Sequence, residues 1–388
     1  MKIKKILIEG VGGLESIELT FDDHMNLLCG PNGIGKTTIL ETIAHLFSAG
    51  TTTILKRNVN SEKAIIQGVI EVDGENKQMK IEFDTFVPEA QNNLTGFYQD
   101  SKKLFSLKTT RNLQYSPLAS VPKDTEKRED TFYSEARTGI TLNDIKSWFV
   151  NRFLYSAHPG ALKDEQIANY ELAKKCFSLL NESFTFSKVD ASSNEIMVNT
   201  PSGEIYYEYL SSGFKSIIAI SFGIIKEIEF RFKNPRINAV DFDGIITIDE
   251  IDLHLHPEWQ STIVRVLSEM FPKAQFIVTT HSPHIIQAAN PNQIISLGVE
   301  NGKVIQRELP DSKYGFQGWT IEEVLTDVMG MSDLRTDLFN NLLDNFGMYI
   351  DAEEYEKAKE CYEQIDSILH PQNHVRKLLK FQLASIKN

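Results

Sequence analysis

The residues with the clearest chemical potential form a glycine-rich turn at 30–38. This run, GPNGIGKTT, matches the phosphate-loop pattern GxxxxGK[ST] at every fixed position. Glycine lets the backbone curl so that successive N–H groups point inward at phosphate oxygens, and the helix that follows adds its positive end. Lys36 can neutralise phosphate charge, and the Thr37 hydroxyl can hold Mg²⁺. The predicted nucleotide contacts from this turn are Asn32, Gly33, Gly35, Lys36, Thr37 and Thr38.

A second run of small residues, LSSGFKS at 210–216, precedes a helix predicted over Ile217 to Phe230. A Ser-Ser-Gly run at a helix start is often only a cap. Its hydroxyls and free N–H groups at the positive end of a helix also suit a γ-phosphate. From the residues alone, both interpretations stay open.

Two carboxylates end a β-run that extends from Val240 to Ile248. Continuous Ile/Val runs are typical of buried parallel strands, and ligands lie beyond the carboxyl ends of such strands. Asp249 is expected to hold Mg²⁺, mainly through water, and Glu250 to orient and deprotonate the attacking water. The pair therefore predicts hydrolysis in addition to binding.

Three histidines follow these carboxylates. His254 and His256 resemble a metal pair, but no third ligand stands at a clear spacing, so a zinc site has little support. His281 follows another buried apolar run, FIVTT at 276–280, where an imidazole can hydrogen-bond the γ-phosphate.

The elements that must position these residues can be predicted in outline. Three short strands are predicted before the turn, and a helix begins near Lys36. Ala64 to Val72 and Gln78 to Phe86 flank an Asp-Gly turn and predict a hairpin. Helices are predicted over 142–154 and 164–180, and strands over 184–199 and 204–209.

The segment from Val87 to about Pro122 has poor periodicity, and a solvated loop is expected over the basic stretch 99–123. Its positive charges offer an alternative, contact with nucleic acid. The basic residues concerned are Lys102, Lys103, Lys108, Arg111 and Lys123.

Composition excludes several classes of protein. The chain has 388 residues, 41% of them hydrophobic, which is enough to build cores. The net charge of −13 argues against a generally basic surface for nucleic acid, although a local basic face stays possible. No apolar run approaches the length of a membrane span and no secretory segment is visible, so we expect no membrane and a cytoplasmic location. Cys29, Cys176 and Cys361 have no metal or disulfide spacing.

The order of these motifs resembles a known family. The phosphate loop, LSSGFKS, IITIDEIDLHLHP and FIVTTHSP together are similar to the ATP-binding-cassette (ABC) ATPase head of the SMC, RecF and OLD group. The resemblance covers about 1–50 and 205–300. The runs DEIDLHLHPEWQ and VTTHSPHII, with the helical tail, are similar more narrowly to the Septu (PtuA-like) and retron-associated ATPases of anti-phage systems.

The resemblance implies an α/β fold of the P-loop NTPase class. A mixed β-sheet core with an antiparallel β lobe, an inserted mostly helical lobe and a C-terminal helical tail are expected. The corresponding division is 1–90 and 206–310 for the two halves of the head, 91–205 for the inserted lobe and 311–388 for a partner-binding tail.

The resemblance also implies roles for the motif residues. Two ATP molecules would be sandwiched in a head-to-tail dimer, with Ser211 and Gly213 acting on the nucleotide of the opposite subunit. Asp249 and Glu250 would be the Walker B pair, and His281 the switch histidine. The family's phosphate-binding residues correspond to Lys36 and Thr37, and its D-loop to Leu253 to His256.

Two features depart from the family pattern. Ser212 and Phe214 stand where the signature motif usually has glycine and glutamine. The Q-loop glutamine has no single match, and Gln67 and Gln91 are its two candidates.

The tail is predicted to contain helices over 319–325, 334–346, 352–369 and 375–386. One apolar face packs in a core by default and binds a partner in the alternative interpretation. Its residues are Tyr355, Ala358, Tyr362, Ile365 and Leu369.

The expected function is an ATP-dependent regulator of an effector. No Toprim or HNH nuclease constellation is visible, so an effector such as an HNH nuclease would be another chain. The rival is a DNA-binding repair ATPase of RecF type, which requires a basic surface around Lys102, Lys103, Lys108 and Arg111. Direct binding of DNA or RNA stays open. A transporter ATPase is a weaker option, against which the helical tail argues.

Overall fold

The computed structural model describes residues 1–111, 115, 117–331 and 335–387 of the chain. They divide into two compact units, Met1–Gly330 and Met331–Asn388.

The first unit contains all of the strands in the described part of the chain. They are β1 (Lys2–Val11), β2 (Leu14–Thr20), β3 (Met25–Cys29), β4 (Ala49–Thr52), β5 (Ala64–Val72), β6 (Glu75–Phe83), β7 (Asn92–Thr95), β8 (Leu104–Leu107), β9 (Thr185–Val189), β10 (Ile196–Thr200), β11 (Gly203–Tyr206), β12 (Ile245–Ile248), β13 (Gln275–Thr279), β14 (Ile294–Glu300) and β15 (Lys303–Gln306).

Helices occur in both units. They are α1 (Lys36–Leu46), α2 (Glu129–Thr138), α3 (Ile145–Ser156), α4 (Asp164–Leu180), α5 (Ser212–Arg231), α6 (Pro257–Met270), α7 (Pro283–Ala288), α8 (Ile321–Glu323), α9 (Asp337–Asp351), α10 (Tyr355–Ile368) and α11 (Val375–Ser385).

A six-stranded sheet in the order β15-β14-β3-β13-β12-β8 forms the centre of the first unit. Its strands are parallel except for β15, which pairs with β14 in the antiparallel direction. The strands β3, β13 and β12 are buried along their whole length, as their continuous apolar runs predict. Their carboxyl ends therefore open onto one common edge of the sheet.

An antiparallel sheet in the order β2-β1-β5-β6 makes up the β lobe. The predicted hairpin is confirmed, since β5 and β6 pair across the turn at Asp73 and Gly74. Both turn residues have positive φ, 53° and 85°, as a two-residue hairpin turn requires. The second strand begins at Glu75, three residues earlier than predicted.

The prediction of a solvated loop over 99–123 was wrong for Leu104–Leu107. These four buried residues form β8, an edge strand of the central sheet that pairs in parallel with β12. The run is too short, and too closely flanked by lysines, to produce a periodic signal in the sequence. Its burial depends on a partner strand more than 130 residues later, which local patterning cannot reveal.

The helix α5 is buried over most of its length, and so are the charged residues near its C-terminus. Glu227 pairs with Lys127 at 2.6 Å, Glu229 with Arg152 at 2.5 Å, and Arg231 with Glu135 of α2 at 2.7 Å. Since a buried charge without its partner is costly, these pairs tie α5 to α2, to α3 and to the segment before α2.

The second unit packs α9, α10 and α11 around one apolar cluster. Ala358 and Ile365 of the predicted apolar face are fully buried there, and Tyr355, Tyr362 and Leu369 pack against them. That face therefore serves core packing. The first of these helices begins at Asp337; the predicted start at Leu334 lies outside the described residues.

Within the ranges that the structure describes, none of the helices is both long enough and apolar enough to cross a membrane.

His45 on α1 makes the stability of the first unit depend on pH. The imidazole is fully buried between the carbonyl oxygen of Glu41 and the hydroxyl of Thr52, and burial lowers its pKa to about 4. Below the pKa of about 6.5 that His45 has in the unfolded chain, the unfolded chain binds a proton that the folded chain does not bind. Stability therefore falls as the pH drops from 6.5 towards 4.

We predict that this residue contributes about 2 kcal/mol to the loss of unfolding free energy between pH 7 and pH 5. Urea unfolding of the wild type and of His45→Gln at both pH values measures it. Other groups titrate equally in the two proteins, so the wild type should lose more stability than the variant. Equal losses in both would contradict the prediction.

Candidate functional site

The phosphate loop connects β3 to α1 and has the backbone that its glycines require. Gly30, Gly33 and Gly35 have φ values of 145°, 76° and 105°. A Cβ atom at Gly30 would lie 2.6 Å from the carbonyl oxygen of Leu297, and nothing lies within 4 Å of one at Gly33. The loop is thus held against the protein at one end and open at its middle, as a phosphate cradle needs.

The other predicted loop residues lie around this opening. Asn32 and Gly33 are exposed at the mouth of the loop, and Thr37 is exposed at the first turn of α1. Thr38 lies one residue further, where its side chain faces Gly12.

Lys36 folds back over the loop that precedes it. Its Nζ atom donates hydrogen bonds to the carbonyl oxygens of Gly30 at 2.9 Å and Pro31 at 3.0 Å. Burial lowers the pKa of Lys36, while the nearby carboxylates act in the opposite direction. The ammonium group is therefore held where phosphate charge would need neutralising.

Thr37 and Asp249 come together across the ends of β3 and β12. The Thr37 hydroxyl donates to the Asp249 carboxylate and lies 3.1 Å from each of its oxygens. A hydroxyl and a carboxylate are hard oxygen ligands of the kind that Mg²⁺ prefers. The donor set fits the ion that the sequence predicts.

Thr279, at the end of β13, contacts the Asp249 carboxylate and the backbone of Glu250. Its hydroxyl donates to Asp249 Oδ1 at 2.7 Å and accepts the backbone N–H of Glu250 at 2.7 Å. Glu250 has a φ of 49°, a left-handed conformation that is uncommon outside glycine. The backbone at Glu250 therefore depends on its neighbours to hold it.

His281 lies at the same edge of the sheet. Its backbone N–H donates to Asp252 Oδ1 at 3.1 Å, and the Thr280 hydroxyl donates to the same oxygen at 2.7 Å. Burial lowers the pKa of His281, and the charge of Lys36 lowers it further. Both effects favour the neutral form of the imidazole.

The serine run occupies a different place. Ser211 caps α5, where its hydroxyl accepts the N–H of Phe214 at 3.3 Å, and its side chain remains exposed. Gly213 faces α6, because a Cβ atom there would lie 3.0 Å from Trp259 Cδ1 and 3.5 Å from the carbonyl oxygen of His254.

Phe214 explains one departure from the family pattern. It is buried in an aromatic cluster, 5.1 Å from Phe184 and 5.4 Å from Trp259 between ring centroids. In this chain the position anchors the start of α5 in the core.

The structure also shows where the candidate metal-binding histidine His256 and the two candidate Q-loop glutamines lie. His256 caps α6, and the described part of the chain has no group of three His, Cys, Asp or Glu side chains that could hold a metal ion. Gln67 lies within β5 opposite Leu7, and Gln91 is exposed just before β7. Neither position identifies a Q-loop residue.

Sequence reasoning missed the roles of three residues at this edge of the sheet: Thr279, Asp252 and Arg111. Arg111 donates from its guanidinium to the carbonyl oxygens of Asp249 and Glu250. The Thr-Thr-His run was a usable signal for Thr279. Arg111 had none, because the strand that delivers it was not recognised.

The four basic residues on which a DNA-binding surface would depend are engaged within the protein. Lys103 pairs with Asp243 at 2.9 Å and Lys108 with Glu41 at 2.7 Å. Lys102 lies 4.5 Å from the centre of the Phe232 ring. Together with Arg111, they form no free basic face.

Comparison with known proteins places the site in a family context. Residues 25–287 match the protein family described as "AAA domain, putative AbiEii toxin, Type IV TA system". The Septu protein PtuA of Bacillus thuringiensis is 43% identical over 399 residues, which cover 98% of this chain and 98% of that protein. The Retron Vc95 probable ATPase of Vibrio cholerae serotype O1 biovar El Tor is 28% identical, with 70% of this chain and 68% of the relative covered.

A solved structure is also similar. The SMC head domain from Thermotoga maritima is 19% identical, with a TM-score of 0.45, and the match covers 80% of this chain and 100% of that chain.

We predict that Thr279→Val destabilises the protein by about 1–3 kcal/mol, because Glu250 N–H loses its acceptor and Asp249 loses a donor inside the protein. Thr279→Ser keeps the hydroxyl and should lose less. Urea unfolding at pH 7 measures both variants. A Val variant as stable as the wild type, or a Ser variant as unstable as Val, would show that the hydroxyl is not needed.

Proposed function

We propose, since the chain belongs to the Septu PtuA family of AAA-domain ATPases, that it hydrolyses ATP as a head-to-tail dimer and thereby regulates an effector protein in anti-phage defence. The observation that carries this proposal is that the residues expected to bind one nucleotide lie in two separate places on the chain. Lys36, Thr37, Asp249 and His281 meet at one edge of the central sheet, whereas Ser211 is exposed at the tip of α5. A second copy of the chain can supply the serine that this edge lacks.

The residues at the sheet edge fit a nucleotide with Mg²⁺. The open phosphate loop and Lys36 would hold the phosphates, and Thr37 with Asp249 would hold the ion. When bound, ATP and Mg²⁺ supply the phosphoanhydride and the charge neutralisation that hydrolysis needs.

The chain's own groups then have separate tasks. Glu250 would accept the proton of the attacking water, which its position beyond β12 allows. His281, which lies at the same edge of the sheet, would hydrogen-bond the terminal phosphate. In the opposite subunit, Ser211 and the N–H groups at the start of α5 would contact the same phosphate.

ATP binding would therefore close the dimer, since each nucleotide contacts both subunits. Hydrolysis or nucleotide loss would change the docking of the effector. We propose that this effector is a nuclease such as an HNH nuclease. The RecF-like alternative is less well supported, because Lys103, Lys108 and Arg111 are bonded within the protein.

We predict that Glu250→Gln slows ATP hydrolysis by about 10²–10⁴-fold and accumulates as an ATP-bound dimer. The amide cannot take a proton, yet it leaves the phosphate-binding residues unchanged. Turnover assays and size-exclusion chromatography with ATP measure both effects. The double variant with Ser211→Arg, which blocks the exposed cap, should remain monomeric. Wild-type turnover in Glu250→Gln would reject this residue as the base.

We further predict that the chain co-purifies with an effector when it is expressed with its neighbouring genes. Glu250→Gln, purified with ATP, should retain the effector differently from Lys36→Ala, which cannot bind nucleotide. Affinity purification followed by mass spectrometry measures the amount of effector per ATPase chain in each preparation. An effector that is absent from both preparations, with and without ATP, would count against regulation.

A further inference from the structure

We propose that Arg111 is a positioning residue for ATP hydrolysis: its guanidinium holds the two peptide groups that flank the Glu250 side chain and so aims the carboxylate. This inference rests on the proposed role of Glu250 as the base.

The hydrogen bonds of Arg111 form a fork across the Walker B backbone. Its Nη1 atom donates to the carbonyl oxygen of Asp249 at 2.7 Å, and Nη2 donates to the carbonyl oxygen of Glu250 at 2.6 Å. A planar guanidinium presents two parallel donors, which suits two adjacent acceptors; a lysine ammonium cannot reproduce this geometry. One side chain therefore bridges two successive peptide planes.

Those two planes need such support because Glu250 is in the left-handed region, with a φ of 49°. A non-glycine residue keeps this conformation only when its surroundings determine it. The Glu250 N–H is held by Thr279, and the next N–H, of Ile251, donates to the carbonyl oxygen of Thr279 at 3.0 Å. Arg111 holds the carbonyl side, where the oxygen of Glu250 also accepts the backbone N–H of Leu253 at 2.9 Å and the oxygen of Asp249 accepts from the guanidinium.

The choice of acceptors matters for the chemistry. Arg111 is 8% exposed and faces the negative charges of Asp249, Glu250 and Asp252. Its hydrogen bonds nevertheless go to backbone carbonyls, so the guanidinium itself occupies no oxygen of these carboxylates. Its Nε atom is buried with no hydrogen-bond partner in the described part of the chain. Nη1 also donates to the carbonyl oxygen of Lys108 at 3.2 Å, so all the acceptors of the guanidinium described here are backbone carbonyls, and the shorter bonds go to Asp249 and Glu250.

The central sheet delivers Arg111 to this place. Leu107 at the end of β8 lies opposite Ile248 of β12, and its carbonyl oxygen accepts the Asp249 N–H at 2.9 Å. Arg111 follows four residues later, where the chain passes the carboxyl end of β12. The edge strand β8 is therefore the part of the fold that supplies the second support of Glu250.

The test separates positioning from simple stabilisation with a double-mutant cycle. Arg111→Lys keeps the charge but not the fork, and Arg111→Gln keeps donors but not the charge. Arg137→Lys is the matched control, since Arg137 also donates to a backbone carbonyl, that of Thr51, away from the Walker B carboxylates. ATP turnover and thermal unfolding are measured for each variant, alone and combined with Glu250→Gln.

We expect Arg111→Lys to lower kcat by about 10–100-fold while KM for ATP changes by less than about 3-fold, since a misaligned base slows the reaction without weakening binding. In the Glu250→Gln background the same change should cost less than about 2-fold, because the residue through which Arg111 acts is already disabled. Arg137→Lys should leave kcat unchanged.

Other outcomes overturn the inference. An equal fold-loss in both backgrounds would mean that Arg111 does not act through Glu250, as would a loss of the same size in Arg137→Lys. If Arg111→Lys fails to fold, Arg111→Gln must show the same background dependence. If Glu250→Gln itself keeps wild-type turnover, the proposed base fails, and the role of Arg111 fails with it.

Discussion

The parallel pairing of β3, β13 and β12 is the constraint on which the rest of the site depends. Thr279 lies opposite Leu28, and Val278 lies opposite Ile248, so all three strands end at the same level. The phosphate loop, the carboxylates and His281 each begin within two residues of these ends. A shift of one residue in either pairing would turn alternate side chains to the other face and separate Thr37 from Asp249. Accurate placement of the chemistry thus follows from backbone hydrogen bonds in a buried sheet.

Charge balance is the second requirement of this edge. Asp249, Glu250 and Asp252 lie together and face the cations Lys36 and Arg111. Each cation is bound to backbone carbonyls, so neither is neutralised by a direct ion pair with these carboxylates. The carboxylates keep their capacity to bind a divalent ion, and Lys36 keeps its capacity to bind phosphate. The protein supports separated charges here with hydroxyl groups and peptide dipoles, which cost little to keep oriented.

The sequence was most informative where local chemistry and local structure coincide. The phosphate loop needs positive φ at its glycines, and the hairpin turn at Asp73 needs positive φ as well. Both requirements can be recognised from the types of the residues at these positions. The helix α4 was placed at 164–180 because its period is regular. By contrast, β8 is four residues long and is stabilised by a distant strand, so neither it nor the role of Arg111 could be read from neighbouring residues. Contact between Ser211 and the nucleotide of a second subunit involves another copy of the chain, and it stays a prediction.

The buried charges of α5 have a mechanical consequence. The helix has 20 residues and spans about 30 Å, with Ser211 at one tip and the pairs of Glu227, Glu229 and Arg231 near the other. Sliding the helix by a turn would leave several desolvated charges without partners, so α5 must travel together with α2 and α3 or not at all. The C-terminal part of α5 is thus fixed to its neighbours by ion pairs, whereas Ser211 lies at the other end of the helix. The position of the exposed serine is thereby coupled to the positions of α2 and α3 through these buried ion pairs.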